Sequence, residues 1–542
     1  MADQNQVVRA AGVLMAISVL ARLAGFIREQ AIAAQFGTTM ATDAYVVAYT
    51  VANIVYLIIG GALATVFIPV FASYLTGSNP VETKSKSGYW QQNHLDRGSA
   101  WNLASTIINL TVLVLGGVTI IGIAVSPWLV QLIAPGFASE PAKVQLTTQL
   151  TQIMFPITLL FALSMLFGVT LNTLQHFAVP ALGSVVFSLT VLASVFTLGA
   201  AWGIKGLAAG TVIATVFQVA IQVPVLWRKG MRYSLVLNLK HPGVRQIGVL
   251  MGPVMLGNAV AQAYVFIERI IASHLAEGCI AALNFANKLY LLPFNLFALA
   301  INIAIFPTMS AHAAANDLAA LRKTTFGGLK LVGLLTIPAM VWLIVLAEPI
   351  VRLTFERGAF DDHSTGLTTF ALSFYVLGLF ALGAFNVLNR AFYALHDTRT
   401  PVLISIFTDL FNLAMALILV RYLQHGGLAL AAALAANLNL ILAYYFLRPR
   451  LPNWRGRELF APLGKIVLAS GIMGVGIWVT ARYLMQLTGG STELMAQLLT
   501  VGIASGVGLI IYLGLIWWWK PDEELVEMVR KMGQKVIQRV RG

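Results

Sequence analysis

The sequence predicts an all-α polytopic membrane protein of about fourteen transmembrane helices, arranged as two parallel six-helix lobes around a central cavity and followed by a C-terminal helix pair. Three observations predict it. Of the 542 residues 58% are apolar and 10% charged, with a mean hydropathy of +0.81, a composition of chains made chiefly of membrane spans. Polar breaks divide the apolar sequence into fourteen windows, each about the length of the roughly 20 residues that carry a helix across a hydrocarbon core of about 30 Å. Pairs of similar segments also recur in the same order in the two halves of the chain.

The expected spans are 10–35, 44–75, 104–133, 146–173, 180–203, 206–227, 246–273, 281–312, 327–355, 367–395, 400–422, 426–447, 462–485 and 494–519. They organise the chain into a first lobe at 1–228, a basic cytoplasmic linker at 229–245, a second lobe at 246–448, the last helix pair at 449–520 and an amphipathic tail at 521–542. In the tail, Leu525, Val526, Met528, Val529, Val536, Ile537 and Val540 alternate with charges, as in a helix lying on a membrane surface. The start "MADQNQVVRA" lacks a cleavable signal pattern, and Cys279, the lone cysteine, excludes an intrachain disulfide. No connection is long enough to hold a separate catalytic domain.

Orientation follows from lysine and arginine, which short cytoplasmic loops retain. They gather in alternate connections: Lys84, Lys86 and Arg97; Arg228, Lys229, Arg232, Lys240 and Arg245; Arg322, Lys323 and Lys330; Arg448, Arg450, Arg455 and Arg457; and the tail. Connections of the other parity carry little beyond Lys143, Lys205 and Arg357. Both termini are therefore expected in the cytoplasm. The net charge of +14 is then largely an inner-face bias toward anionic membrane lipids and not a nucleic-acid footprint.

The repeat is carried by "FIREQAIAAQFG" and "FIERIIASHLAEG", by "ATVFIPVFASYL" and "INIAIFPTMSAHA", by "PWLVQLIAPGF" and "PIVRLTFERGAF", and by "LNTLQHFAVP" and "FYALHDTRTP". Their offsets are 240, 238, 222 and 221 residues. Each copy spans six helices and begins on the same side of the membrane, and transporters place their sites at such repeat interfaces.

Charged residues within the spans mark the candidate site. Ionised groups deep in a bilayer cost about 2.5–3.5 kcal/mol each on insertion scales, so they face a watery cavity or a partner. Arg22 and Arg28 lie about 120° apart on the first helix, with Gly25 between them, and Glu29 returns to the face of Arg22. Asp43 opens the second helix and Asn53 lies deeper in it; Glu268 and Arg269 sit in the seventh, Asn284, Asn287 and Lys288 in the eighth, Arg390 and Asp409 in the tenth and eleventh. One reading makes Arg22–Glu29, and Glu268 with a basic neighbour, ion pairs that pin helices. The other notes that cations outnumber anions, which suits an anionic substrate such as a diphosphate held by guanidinium forks. No P-loop is present, and His94, His176, His274, His312, His363 and His396 lack metal-ligand spacing, so the chain reads as a transporter without a metal centre and not as an enzyme. The enzyme-class rival, a polyprenyl-phosphate transferase, has only "FERGAFDDHS" as a candidate outer loop.

The segments "SVLARLAGFIREQAIAAQFGTTMATDAYVVAY", "GGALATVFIPVFASYL", "IAALNFANKLYLLP", "FERGAFDD" and "RAFYALHDTRTP" together resemble the MurJ lipid II flippases, within the multidrug/oligosaccharidyl-lipid/polysaccharide exporter superfamily. The resemblance implies alternating access that moves undecaprenyl-diphosphate-linked disaccharide pentapeptide across the bacterial inner membrane, alongside other proteins of cell-wall synthesis. It carries the family's cavity arginines onto Arg22 and Arg28, its acidic neighbour onto Glu29, its helix-two aspartate onto Asp43 and its helix-eight basic residue onto Lys288. Two departures stand out: Tyr56 replaces an arginine that many members carry, and Asn287–Lys288 stands where some have Asp-Arg, with Arg269 as the candidate compensator. Coupling to membrane potential or to a monovalent cation is left open, with Asp43, Glu268 and Asp409 as groups able to titrate. The nearer alternatives are a flippase for another polyprenyl-linked oligosaccharide and a cation-coupled drug exporter, the latter calling for a cavity dominated by carboxylates.

Overall fold

The computed structural model describes residues 2–76, 97–487 and 494–520, so the tail 521–542 and the loop cations Lys84 and Lys86 lie outside the described residues. Every regular element among the described residues is helical. They are α1 (Ala2–Phe36), α2 (Met40–Thr76), α3 (Arg97–Ile133), α4 (Pro141–Met154), α5 (Ile157–Thr173), α6 (Ala178–Phe196), α7 (Leu198–Ala220), α8 (Val223–Arg228) and α9 (Pro242–Ala272). There follow α10 (Cys279–Pro293), α11 (Leu299–Ala314), α12 (Leu318–Val345), α13 (Ala347–Phe355), α14 (Asp362–Tyr375), α15 (Leu379–Ala394), α16 (Arg399–Leu447), α17 (Gly456–Leu487) and α18 (Leu494–Trp519).

Twelve helical stretches among the described residues are long and apolar enough to span a bilayer. Two features account for the larger count expected from sequence. The helix Ala2–Phe36 is not among the twelve, and α16 is one 49-residue helix by hydrogen bonding but bends at Gln424, whose φ of +48° interrupts it between the two expected spans. Proline marks the joints elsewhere: Pro156 separates α4 from α5, and Pro293 precedes a π-helical turn, Phe294–Ala298, that links α10 to α11.

The helices divide into two compact units, Met1–Ala281 and Ala282–Gly542. In the first, α1 packs on α6, α6 on α7, and α2 on α4, α5 and α9. Its core stacks Phe67 on Phe71 (5.0 Å between ring centres) and Phe71 against Trp101 (5.7 Å), with Leu103, Ile107, Leu171, Leu226 and Ile247 around them. His241 caps α9 by accepting the Gly243 N–H at 3.1 Å, and Pro242 occupies the first helical position, where a missing N–H costs nothing. Burial lowers the pKa of His241, which keeps the ring neutral and able to accept.

In the second unit α12 is central, packed by α11, α15 and α17, while α18 lies on α17. With lipid outside, apolar contact alone discriminates weakly between helix partners, so polar groups and close approach matter. Trp342 Nε1 donates to Ser505 Oγ at 2.7 Å and Tyr512 Oη to the Leu334 carbonyl at 2.7 Å, tying α18 to α12. A clamp outside the spans joins Asp397, before α16, to Arg450 after it; Arg450 also donates to Thr400 Oγ1 at 3.0 Å. Partial burial pushes the Asp397 carboxyl up, but hydrogen bonds from Thr400 and Arg450 outweigh it and hold the pKa down to about 2. The clamp's contribution is therefore complete above the ordinary carboxylate value of about 4, and it is lost as pH falls through about 2. The stability difference between parent and Asp397→Asn should be constant above about pH 5 and shrink toward pH 2. Thermal unfolding of both proteins across that range checks it; a difference that grows with acid would contradict the clamp.

Candidate functional site

Arg28 and Glu29, consecutive on α1, form an ion pair with Arg28 Nη2 donating to Glu29 Oε1 at 2.5 Å. Neighbours on a helix point about 100° apart, but an arginine is long enough to fold its guanidinium back over the next residue. Only 19% of the Arg28 side chain and 10% of that of Glu29 are exposed. The guanidinium carbon lies 5.5 Å from the centre of the Phe187 ring of α6, a cation–π geometry that fixes the plane of the fork. Arg22, six residues earlier, is exposed. The α1 cluster thus offers one exposed cation and one held at a defined orientation between an acid and an aromatic face.

Asp43 is placed differently from the other charges. It is 1% exposed, and both carboxylate oxygens are occupied. Oδ2 accepts from Lys143 Nζ of α4 at 3.3 Å and from the Gly278 N–H at 2.8 Å, while Oδ1 accepts from the Ala281 N–H at 2.9 Å. The carboxylate therefore caps the amino end of α10 from another helix, where free N–H groups and the helix dipole favour an anion. Lys143, itself 2% exposed, also lies 4.3 Å from the centre of the Phe137 ring. The same knot includes the Met40 N–H donating to Glu277 Oε1 at 2.6 Å and the Gly136 N–H donating to Ser273 Oγ at 3.0 Å. Three connections of one parity, after α1, α3 and α9, are thereby drawn together.

Gly278 makes that approach possible: its φ is +81°, and a Cβ there would lie 2.2 Å from the Thr38 carbonyl oxygen. Gly278→Ala should destabilise the protein by more than the roughly 1–2 kcal/mol of the left-handed conformation alone, seen as a lower melting temperature. Thermal unfolding measures this, and a neutral result would mean that the loop relaxes away from Thr38.

The remaining sequence-derived positions are spread along the chain. Asn53 is half-buried in α2, and Asn287 is half-buried beside exposed Lys288 in α10 of the second unit. On α9, Glu268 is half-buried, and Arg269 Nε and Nη1 are shielded from solvent without a hydrogen-bond partner among the described residues. Shielded donors of a cation left unpaired are costly unless an anion reaches them. Tyr56 turns its hydroxyl to Met165 Sδ (3.0 Å) and packs its ring 5.3 Å from that of Phe161. That stretch of α2 presents an aromatic surface in place of a cation. Arg390 is satisfied by the Phe306 ring at 4.9 Å, and Asp409 is exposed on α16. Among the described residues no group of three His, Cys, Asp or Glu side chains could hold a metal ion.

Sequence reasoning overlooked Lys143, Phe187 and the Gly136–Ser273 contact. One signal was available for Lys143: it is a cation in a connection of the parity that is otherwise nearly free of them. Phe187 gave none, since a phenylalanine in an apolar helix is ordinary.

A family model described as lipid II flippase MurJ matches residues 32–499. A probable lipid II flippase MurJ of Rickettsia prowazekii is 28% identical over 516 residues, covering 94% of this chain and 97% of that protein. The lipid II flippase MurJ of Burkholderia cenocepacia is 28% identical over 515 residues, covering 92% and 95%. Among solved structures, a lipid II flippase MurJ in an inward closed conformation superposes with a TM-score of 0.75 at 23% identity, over 94% of this chain and 98% of that one. An inward-facing multidrug transporter of the MATE family follows the same fold at a TM-score of 0.65 and 15% identity, over 81% and 98%. With a family match that runs through most of both units, the chain belongs to the MurJ family of lipid II flippases.

Proposed function

We propose that this chain flips lipid II, the undecaprenyl-diphosphate-linked precursor of peptidoglycan, from the inner to the outer leaflet of the bacterial cytoplasmic membrane by alternating access. The family match over residues 32–499 carries the reading, and the geometry of α1 gives it a chemistry. A diphosphate presents the oxygens that a guanidinium fork pairs with bidentately. Arg22 is exposed to a first encounter, and Arg28 is pre-oriented by Phe187 and charge-balanced by Glu29 until phosphate competes for it. Arg269, with its unpartnered donors, is the third guanidinium of the set. Asn53, Asn287 and Lys288 are the further contacts assigned to the head group, and α17 and α18 the guide for the polyprenyl tail.

With both termini in the cytoplasm, the knot around Asp43 lies at the outer ends of α2, α4 and α10. There the Asp43 carboxylate, held by Lys143, Gly278 and Ala281, ties these loops together within the first unit. Membrane potential supplies drive of about 2.3 kcal/mol for each charge moved through 100 mV. The test is expression in bacteria depleted of their own lipid II flippase, with membrane insertion verified. Growth rescue is expected. A well-inserted protein that fails to rescue would redirect the assignment to another polyprenyl-linked glycan or to a drug substrate of the MATE kind.

A further inference from the structure

The connection between α8 and α9 is not a helix. Residues 231–238 form no regular element and lie against the start of α3, inside the first unit. Irregular backbone at a membrane edge needs partners for its N–H and C=O groups, and a polar stripe of α3 supplies several of them. Asn109 Nδ2 donates to the carbonyls of Ser234 (3.0 Å) and Val236 (3.1 Å), and its Oδ1 accepts from Tyr233 Oη at 2.6 Å. Ser105 Oγ accepts the Ser234 N–H at 3.2 Å. The segment is thus fastened along one edge by side chains that would otherwise be stranded in an apolar helix.

What it presents outward is apolar. Leu235 is 88% exposed, Leu239 61%, Leu237 50% and Tyr233 48%. Charge flanks this row on both sides: Arg228, Lys229, Arg232, Lys240 and Arg245 are all exposed, and no acidic residue occurs from 141 to 267. Trp227, 63% exposed, stands at the same end of α8, in the manner of interfacial tryptophans. Depth follows from α3. Its 37 residues give about 55 Å at 1.5 Å per residue, well beyond a core of about 30 Å. Its exposed apolar surface begins at Val112, Leu113 and Val114, directly after the stretch that the linker covers. The linker therefore lies where head groups meet acyl chains.

We propose that residues 227–245 form a binding band for anionic phospholipids of the inner leaflet. Leu235, Leu237 and Leu239 enter the acyl edge, with Tyr233 tethered to Asn109 beside them, and the five cations hold lipid phosphates. A solvated linker would leave this row of large apolar side chains in water as a contiguous exposed patch, which is an aggregation hazard. Charge selects the lipid over a protein partner: a strand-adding peptide needs free backbone groups, and the α3 stripe already occupies part of that edge. The band fixes the start of α9 and the first turns of α3 at one depth.

The test uses the full chain in proteoliposomes, with Leu235→Cys and, separately, Leu239→Cys carrying a nitroxide. Cys279 is fully buried, so the labelled parent serves as the blank. In vesicles of phosphatidylcholine with phosphatidylglycerol, both labels should collide with oxygen several-fold more often than with a water-soluble nickel chelate. Omitting phosphatidylglycerol, or replacing Arg232 and Lys240 by Gln, should move them toward water. Ready access to the chelate in both lipids would overturn the proposal, as would protection from both reagents, which would mean cover by protein. Depth unchanged by the anionic lipid would overturn the role of the cations.

Discussion

Asp43→Ala is expected to lower the thermal stability of the detergent-purified protein more than any other single substitution in the first unit, with Lys143→Met the milder of the two changes to that pair. Removing one partner of a buried ion pair costs about 3–5 kcal/mol because the other is left uncompensated. The two halves are not equivalent. Asp43→Ala strands a 2%-exposed ammonium and also the Gly278 and Ala281 N–H groups at the head of α10. Lys143→Met leaves a carboxylate that still accepts those two amides, and methionine keeps contact with the Phe137 ring. The double variant should recover part of the loss, since its buried ammonium is gone, and the double-mutant cycle gives the coupling of the pair directly. Melting curves of the four proteins decide this. Equal losses from both single variants would mean that the carboxylate serves the lysine alone and that the α10 cap contributes nothing.

The same residue shows where reading the sequence reached its limit. Helices were legible because a span of about 20 apolar residues is a one-dimensional signal, and breaks at Gly37, Pro135 and Pro180 coincide with helix ends. The boundary between the spans 400–422 and 426–447 was legible, and the structure turns the chain there at Gln424 (φ +48°), which makes α16 two helices joined by a sharp turn. Site membership was less legible. Composition and repeat position grouped Asp43 with Arg22 and Arg28 as intramembrane charge. What separates them is partnership with residues 100 and 235 positions away, which no local pattern encodes. The helical wheel put Glu29 on the face of Arg22 and did not show its ion pair with Arg28, where the length of the arginine overrides the angle between neighbours. The cations of 229–245 were legible, but the position of 231–238 against α3 depends on Ser105 and Asn109, polar residues that looked incidental within a span.

Replacing Arg28 separates charge from geometry. Arg28→Ala should reduce lipid II flipping in proteoliposomes on the order of 100-fold, the loss of one charge-assisted bidentate contact of about 1.5–3 kcal/mol per hydrogen bond. Arg28→Lys keeps the cation but not the fork, and its ammonium has no planar face to lay on Phe187, so it should lose on the order of 10-fold. Phe187→Leu tests the orientation itself: Arg28 and Glu29 remain, and only the surface that holds the guanidinium plane is removed. If pre-orientation matters, this variant falls between Arg28→Lys and the parent and is rescued little by raising the lipid II concentration, because misorientation lowers the productive fraction of bound complexes. If Arg28 serves only as a diffuse positive charge, Arg28→Lys and Phe187→Leu should both flip at the parental rate. Folding is controlled by melting temperature, which Arg28→Ala should lower less than Asp43→Ala does, since the Glu29 side chain keeps 10% exposure where Lys143 has 2%. A stable Arg28→Ala protein with unchanged flipping would remove this residue from the diphosphate site and leave Arg22 and Arg269 as the cations to examine.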